Sequence, residues 1–230
     1  MNSDTPYSTA PSPPYYLAYD TANPDIELPV FGNIHGNDCV IAARAHHTIR
    51  LTYAPGQTPL VISDGDVALE FSNETQTQGT NGLILKTSLD QWKGDGWTAG
   101  GVSHRMIADR WGPFGVVEAA NSANQTGNDM DEIQVMNAIY QYTGAQVDVR
   151  LPAWIDPGQS STFGGTTVWS DTSYPPSIPH VMLLIGYDQD GPIAVTWGQR
   201  QHMTWSFLAQ YCTCTGDGTG LWVVASGDHT

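Results

Sequence analysis

Positively charged residues are scarce in this chain of 230 residues. It contains 8 Lys and Arg against 23 Asp and Glu, a formal net charge of −15 at pH 7. The electric field of this negative charge repels nucleic acids and anionic lipid surfaces, so neither is expected as a partner. The same acidity suits high solubility, a salty working environment or a cationic partner surface, and composition does not choose among them.

Long apolar runs are also missing. No segment reaches the roughly 18 consecutive apolar residues of a transmembrane helix, so no membrane span is predicted. The first residues, Met1–Pro6, have neither the basic start nor the apolar core of a secretory signal. The chain is therefore expected in the cytoplasm, in a virion or other assembly, or outside the cell by a route other than general secretion.

Cysteine is rare as well, with three residues in the whole chain. Three cysteines do not build a disulfide framework, and no His or Cys at suitable spacing completes a metal site. Cys212 and Cys214 form a Cys-Thr-Cys pair that is expected to pack in the ordinary way, although a strained link stays open. No metal or organic cofactor is expected, and Cys39 is the thiol that needs an explanation.

The sequence divides into a Pro-rich arm and a folded domain. Four prolines between Pro6 and Pro14 exclude a regular helix in the arm, residues 1–30. The arm is expected to lie extended on the surface, to bind a protein partner, or to be a disordered tail. Residues 31–230 are predicted to form one α+β domain, helical over about 31–143 and antiparallel β over about 144–230.

Sequence patterns place the elements of this domain. Residues 152–178 are rich in Pro, Gly, Ser and Thr and predict a long, weakly structured connection that lines or covers a site. Ser103–Arg110 and Phe114–Ala119 predict short strands, or a strand and a loop. Helices are predicted at Val40–Ile49 (with Asp38 as N-cap), Asp64–Phe71, Leu83–Lys93, Asp131–Tyr142 and Thr204–Tyr211, and strands at Gln146–Leu151, Val181–Tyr187, Ile193–Trp197 and Leu221–Ala225.

Cys39 is the candidate nucleophile. It follows a polar, glycine-rich turn and stands where the first helix begins. The partial positive charge at a helix N-terminus favours the thiolate, so a lowered pKa is expected for this cysteine. An inert cysteine would more often lie in the middle of an apolar helix or strand.

His180 and Asn33 are the candidate partners of this thiol. His180 opens the apolar strand Val181–Tyr187, where its ring can project into a cleft and transfer a proton to and from the thiol. Asn33 lies six residues before Cys39, and its amide could donate to an oxyanion together with the backbone N–H of Cys39. Each residue alone has an ordinary structural explanation, as a strand-edge histidine and a turn asparagine.

Taken together, the order and spacing of these residues resemble the papain-like cysteine peptidase superfamily. The nucleophile leads a helix, an amide residue lies six positions upstream, and the histidine follows 141 residues later in a strand that ends Gly186-Tyr187. The sequence Val-Thr-Trp-Gly at 195–198, with Asn-Asp-Cys at 37–39, resembles a divergent bacterial and phage branch that carries Gly-Asp-Cys. The resemblance is strongest at residues 31–50 and 178–212.

The resemblance implies a papain-like fold and hydrolysis of a peptide, amide or isopeptide bond. Cys39 would form a thioester, His180 would act as base, and Asn33 would replace the usual oxyanion Gln. Trp197 would shield the Cys–His dyad from water. The Asn that usually orients the histidine is replaced by Val195, and Thr196 is the nearest polar substitute, although strand alternation could turn it away from the cleft.

Two alternatives stay open. The missing Asn, the missing signal and the Pro-rich arm suit a papain-like module kept for structure or interaction, for example in a phage particle or a secreted assembly. The pair Asp38-Cys39 also resembles the Asp-Cys of Cys–His cell-wall amidases, but in that group the His follows the Cys much sooner. An accessible Cys39 with a low pKa would favour the enzyme.

Overall fold

The computed structural model describes residues 28–33, 37–53, 56–104, 132–155, 167–212 and 220–223. The Pro-rich arm lies outside these ranges except for its last three residues. Cys214, the predicted strand Phe114–Ala119 and residues 156–166 of the long connection also lie outside them.

The described residues form helices and strands in the predicted α+β order. The helices are α1 (Cys39–Thr52), α2 (Asp64–Gln78), α3 (Leu85–Asp95), α4 (Glu132–Tyr142) and α5 (Trp205–Tyr211). The strands are β1 (Trp97–Ala99), β2 (Val102–His104), β3 (Ala145–Pro152), β4 (Pro176–Tyr187), β5 (Pro192–Thr196), β6 (Gln199–His202) and β7 (Leu221–Trp222).

A five-stranded antiparallel sheet forms the C-terminal part. Its order is β6-β5-β4-β3-β7, so the long strand β4 lies at its centre. In the register of β3 and β4, Val149 lies opposite His180 and Asp148 lies opposite Val181. Helices α1 and α4 pack against β4. This packing places the first turn of α1 beside the strand that carries the candidate base.

The two faces of the sheet are buried in different clusters. Met182 and Leu184 face the main core, which the helices share. Leu183, Ile185 and Val195 form a smaller cluster, because alternate strand residues point to opposite faces. Leu28, from the last residues of the predicted arm, packs against this second cluster. The end of the arm is therefore anchored on the sheet.

Helix α1 is surrounded by protein on nearly all sides, and it even buries an arginine. Arg44, 1% exposed, donates to Glu74 at 2.6 Å and to Glu70 at 3.0 Å, both on α2. It also donates to the carbonyl oxygen of Ser88 on α3 at 2.7 Å. The indole of Trp92 lies 5.3 Å from its guanidinium. A buried charge needs such partners, and these contacts tie α1 to α2 and α3.

The predicted fold class, a helical N-terminal part and a C-terminal antiparallel sheet, is confirmed. A small hairpin, β1–β2, lies within the helical part, and β2 overlaps the start of the predicted short strand Ser103–Arg110. Two details of the prediction are wrong. The edge strand β6 was not predicted as an element of its own. Asp38 occupies the N-cap position of α1, but its side chain makes no capping hydrogen bond.

The start of β4 is a further correction. The strand begins at Pro176, inside the segment predicted as a loose connection. Strand β5 pairs with β4 only from Leu183 onward, so among the described residues the first half of β4 is paired with β3 alone. Proline is tolerated there, because one side of the strand needs no backbone donor. His180 consequently lies within a strand rather than at its opening.

Within the described residues, no helix is both long enough and apolar enough to cross a membrane.

Candidate active site

Cys39 is the first residue of α1, and it carries a free thiol that is partly exposed. The backbone N–H groups of Val181 on β4 and of Val40 in the first turn of α1 act on this thiol and lower its pKa. The helix terminus and the central strand thus meet at this sulfur. Both donors stabilise negative charge on it.

The pKa of Cys39 moves in the opposite direction from the sequence-based expectation. Burial raises it to about 11, and the negative charges of Asp148 and Asp38 add to the rise. The donors Val181 and Val40 lower it by less. The helix terminus therefore contributes as predicted, but removal of the thiolate from water outweighs it.

His180 is held from two sides within β4. Its Nε2 lies 2.7 Å from the hydroxyl oxygen of Thr196 on β5. Its ring stacks on the indole of Trp197, with centroids 4.5 Å apart and planes inclined by 22°. The side chain is 5% exposed, and burial lowers its pKa to about 3. The imidazole is therefore neutral at pH 7.

Thr196 faces His180 because of the register of β4 and β5. Val195 lies opposite Leu183, and both belong to the second cluster on the far face of the sheet. Thr196 therefore falls on the face shared by Met182 and His180. Strand alternation turns Val195 away from the cleft and Thr196 toward the histidine.

Trp197 lies in the turn after β5, not within the strand as predicted. It has a positive φ of 47°, and Gly198 follows with φ of 72°. A Cβ on Gly198 would lie 2.8 Å from the carbonyl oxygen of Leu28 and 2.7 Å from the side chain of Val30. Glycine fits both the left-handed backbone and this close approach. The turn directs the indole of Trp197 back over His180.

Asn33 lies in the turn that precedes α1. The turn is formed by Phe31 and Gly32, both with positive φ, and the backbone N–H of Asn33 donates to the carbonyl oxygen of Val30 at 3.2 Å. The side chain of Asn33 is 6% exposed and lines the same cleft as Cys39 and His180. His180 thus shares one cleft with two residues, Asn33 and Cys39, that lie more than 140 positions before it.

The cleft has a volume of about 530 Å³. One wall includes the loop Asn81–Leu83, which is joined to the turn before α1 by a hydrogen bond from the Asn37 side chain to the carbonyl oxygen of Asn81 at 3.3 Å. Asp148 on β3 lines the cleft as well. Sequence reasoning missed these residues. The dipeptide Asn81-Gly82 is a turn signal that could have drawn attention to the loop, whereas nothing in the sequence distinguishes Asp148.

No group of three or more His, Cys, Asp or Glu side chains in the described ranges could hold a metal ion. Cys212 is buried at the end of α5, where it forms a β-bridge with Val149, and it is not among the cleft residues.

No protein-family model matches the chain, and no curated protein matches it by sequence. The structure is similar to that of xylellain, a cysteine protease from Xylella fastidiosa, with a TM-score of 0.54 and 9% identity over 89% of this chain and 84% of that one. It is also similar to the cysteine protease and lectin-like domains of Cwp84, a surface layer associated protein of Clostridium difficile, with a TM-score of 0.50 and 12% identity. That match covers 89% of this chain and 50% of the Cwp84 chain, so this chain spans half its length. At these identities the likeness concerns the fold, and the fold is that of papain-like cysteine proteases.

Proposed function

We propose that this chain is a cysteine hydrolase that cleaves a peptide, amide or isopeptide bond. The observation that carries the proposal is the single cleft shared by Cys39, His180 and Asn33, with His180 held by Thr196 at 2.7 Å. A thiol at a helix N-terminus, a neutral imidazole and an amide donor are the groups that acyl transfer through a thioester requires.

The proposed reaction has two halves. Cys39 Sγ attacks the carbonyl carbon, and its proton passes to His180, which gives it to the nitrogen of the leaving amine as the C–N bond breaks. Water then attacks the thioester, passes a proton through His180 to the departing sulfur, and releases the acid. The Asn33 amide and the backbone N–H of Cys39, which lies in the first turn of α1, would stabilise the oxyanion in both halves.

Proton transfer between Cys39 and His180 starts from a neutral pair. The cost of ionising Cys39 in this site is high, as its pKa of about 11 shows. Transfer of its proton to His180 creates opposite charges close together, and their attraction offsets part of the cost of burial. The donors Val181 and Val40 stabilise the sulfur anion further.

Residues 31–230 are proposed as the hydrolase unit and the arm, residues 1–30, as a segment that contacts a protein partner. The end of the arm is anchored on the domain. His46 Nε2 lies 2.9 Å from the carbonyl oxygen of Pro29, and Leu28 packs on the sheet. The arm would therefore leave the domain from a fixed point.

A second candidate function is a papain-like structural or interaction module without catalysis. The raised pKa of Cys39 and the lowered pKa of His180 favour it, because both groups are then uncharged at neutral pH. The replacement of the usual Asn by Val195 favours it as well. The two candidates give opposite expectations for the reactivity of the thiol.

The test is the pH dependence of Cys39 alkylation by iodoacetamide, followed by mass spectrometry of the Cys39 peptide, in the wild type and in His180→Ala. A hydrolase is expected to react well below the ordinary thiol pKa of about 8.5, because His180 accepts the proton, and the variant is expected to lose that reactivity. A peptide library incubated with the wild type should yield cleavage products that Cys39→Ser does not give.

The catalytic proposal would be abandoned if the wild type and His180→Ala alkylate with the same midpoint near pH 11 and the library stays intact. That combined result would assign the chain to the structural class. His202→Ala, outside the cleft, is the matched control, because it removes a half-buried imidazole without altering the site.

A further inference from the structure

One short segment contacts the elements that carry all three candidate residues of the site. Residues 28–31, here called the strap, connect the predicted arm to the turn before α1. His46 lies on α1, the helix that begins at Cys39, and its Nε2 donates to the carbonyl oxygen of Pro29 at 2.9 Å. Nε2 carries the proton, because a carbonyl oxygen only accepts. The ring of Phe31 packs on the same imidazole, with centroids 4.9 Å apart. The strap is therefore fixed to the helix of the candidate nucleophile.

The strap is also fixed to the turn that covers His180. Gly198 approaches it so closely that a Cβ would lie 2.8 Å from the carbonyl oxygen of Leu28 and 3.1 Å from the backbone nitrogen of Val30. The side chain of Leu28 packs on the smaller cluster of the sheet. Trp197, the residue before Gly198, stacks on the ring of His180. A single tight turn thus joins the backbone of the strap to the ring of the candidate base.

The third contact of the strap is with the turn that carries Asn33. The backbone N–H of Asn33 donates to the carbonyl oxygen of Val30 at 3.2 Å. Phe31 has a positive φ of 57°, which is uncommon for a bulky residue and persists only where the surroundings hold it. Its side chain is 1% exposed and lies in the main core. The strap therefore fixes the backbone from which the Asn33 amide reaches the cleft.

We propose that the strap is a positioning element of the site, which holds Trp197 against His180 and Asn33 in the cleft at the same time. The strap residues are not among the residues that line the cleft, so they would act only through these contacts. Acyl transfer depends on such positioning, because a misplacement of about 1 Å can lower the rate about 100-fold. This role rests on the proposed function, since positioning matters for turnover only in a hydrolase, but the contacts can be tested without turnover.

Gly198→Ala and Gly101→Ala form a matched pair of variants for the full chain. Both glycines have a left-handed backbone, with φ of 72° at Gly198 and 75° at Gly101, so alanine strains both in the same way. Nothing lies within 4 Å of a Cβ at Gly101, whereas a Cβ at Gly198 meets the strap. A difference between the two variants therefore reports the contact with the strap and not the strain of the backbone.

The first readout is the titration of His180, followed by NMR of protein with ¹³C-labelled histidine, in which His180→Gln identifies the signal. Burial lowers the pKa of His180 to about 3, so the wild-type ring should stay neutral down to the lowest pH at which the chain is folded. In Gly198→Ala the displaced Trp197 should admit water, and the pKa should rise toward the ordinary value of about 6.5. Gly101→Ala should titrate like the wild type.

The second readout is the exchange of the Asn33 backbone N–H with solvent. Gly198→Ala should accelerate this exchange at least about 5-fold, because a displaced strap weakens the hydrogen bond to Val30. The third readout is kcat/KM on a peptide from the library screen, which should fall about 100-fold in Gly198→Ala. Gly101→Ala should match the wild type in both measurements.

Leu28→Ala is a second variant that loosens the strap instead of displacing it, and it keeps the test valid if Gly198→Ala folds poorly. It should raise the pKa of His180 and accelerate the exchange of the Asn33 N–H in the same way. Leu60→Ala is its control, because Leu60 is also half-buried but packs against the main core.

The outcomes separate this inference from the proposed function. The inference is overturned if the pKa of His180 or the exchange of Asn33 is unchanged in both folded strap variants, whether or not peptides are cleaved. Changes in both readouts while the wild type cleaves no peptide support the strap as the element that holds both groups and count against the hydrolase. Changes in both readouts with undiminished cleavage by the variants overturn the positioning role and leave the hydrolase in place.

Discussion

At the scale of single residues, the contact between Thr196 and His180 has the largest consequence for the proposed chemistry. A carboxamide oxygen only accepts, so it fixes the proton of a neutral imidazole on the nitrogen that faces it. A hydroxyl both donates and accepts, so Thr196 can hold His180 in either tautomer. Thr196 therefore orients the ring but does not determine which nitrogen carries the proton. The partner of the other ring nitrogen, Nδ1, determines that.

Thr196→Val tests this orienting role with almost no change in shape. Loss of the hydrogen bond at 2.7 Å is expected to lower kcat/KM about 10- to 100-fold, as a bond to a group that becomes charged is worth about 1.5–3 kcal/mol. Thr196→Ser, which keeps the hydroxyl, should retain most of the activity. Steady-state kinetics on any substrate found in the library screen measure both variants.

Val195→Asn is the informative companion variant, because it places an amide at the position where the sequence resemblance leads one to expect an Asn. Val195 is 1% exposed and packs with Leu183 and Ile185 on the far face of the sheet. The new amide would be buried without a partner, so the variant should lose stability and gain no activity. Increased activity would show that position 195 can reach His180, contrary to the register of β4 and β5.

At the scale of elements, the position of Cys39 depends on how α1 is held. Arg44 lies one turn and a half after Cys39 in the same helix, and Glu74 accepts from it at 2.6 Å in the interior. Glu70 also accepts, but it is 16% exposed. A buried arginine that loses its buried partner keeps an uncompensated charge, whereas the loss of a partly solvated partner is replaced by water.

Glu74→Ala is therefore expected to lower the free energy of unfolding by about 3 kcal/mol, and Glu70→Ala by less than about 1 kcal/mol. Urea denaturation of the two variants measures the difference, and an unchanged m-value would show that the same surface is exposed on unfolding. Equal losses in both variants would contradict this prediction and mean that the inner and outer carboxylates of α2 stabilise Arg44 equally.

The α+β order could be predicted because hydrophobic periodicity and glycine stops are local signals. The start of β4 could not, since Pro176 and Pro179 are typical of a loop unless the neighbouring strand is known. Trp197 was assigned to a strand for a similar reason. The turn that holds it has positive φ at Trp197 and Gly198, and Gly198 lies against Leu28, a residue far away in the sequence.

The order and spacing of Cys39, Asn33 and His180 predict one shared cleft, and these residues line one cleft. The electrostatics of that cleft could not be predicted. The direction of the Cys39 pKa depends on burial by β4 and on the charge of Asp148, neither of which is local to the helix. The face on which Thr196 lies depends on the pairing of Val195 with Leu183. Register and burial are properties of the assembled sheet.

At the scale of the whole molecule, several histidines are buried in the neutral form. Burial lowers the pKa of His46 and of His47 to about 4, and that of His180 to about 3. An unfolded histidine titrates near 6.5. Between these values the unfolded state binds a proton that the folded state does not, so stability is full above about pH 6.5 and falls as the pH drops toward 4.

The last prediction isolates one of these groups. His47 is 0% exposed, and its pKa is lower in the folded than in the unfolded chain. Because protonation is coupled to unfolding, this difference in pKa should cost about 2 kcal/mol of stability between pH 7 and pH 5. His47→Gln should lower the free energy of unfolding at pH 7 but reduce the further loss at pH 5 by about that amount. Urea denaturation at pH 7 and pH 5 measures the free energy of unfolding at each pH. Ile49→Val, a core variant in the same helix, should keep the pH dependence of the wild type. The repulsion among acidic residues also changes with pH, but it is common to all three proteins and cancels in the comparison. A pH dependence that is identical in His47→Gln and the wild type would show that His47 titrates alike in the folded and unfolded chains.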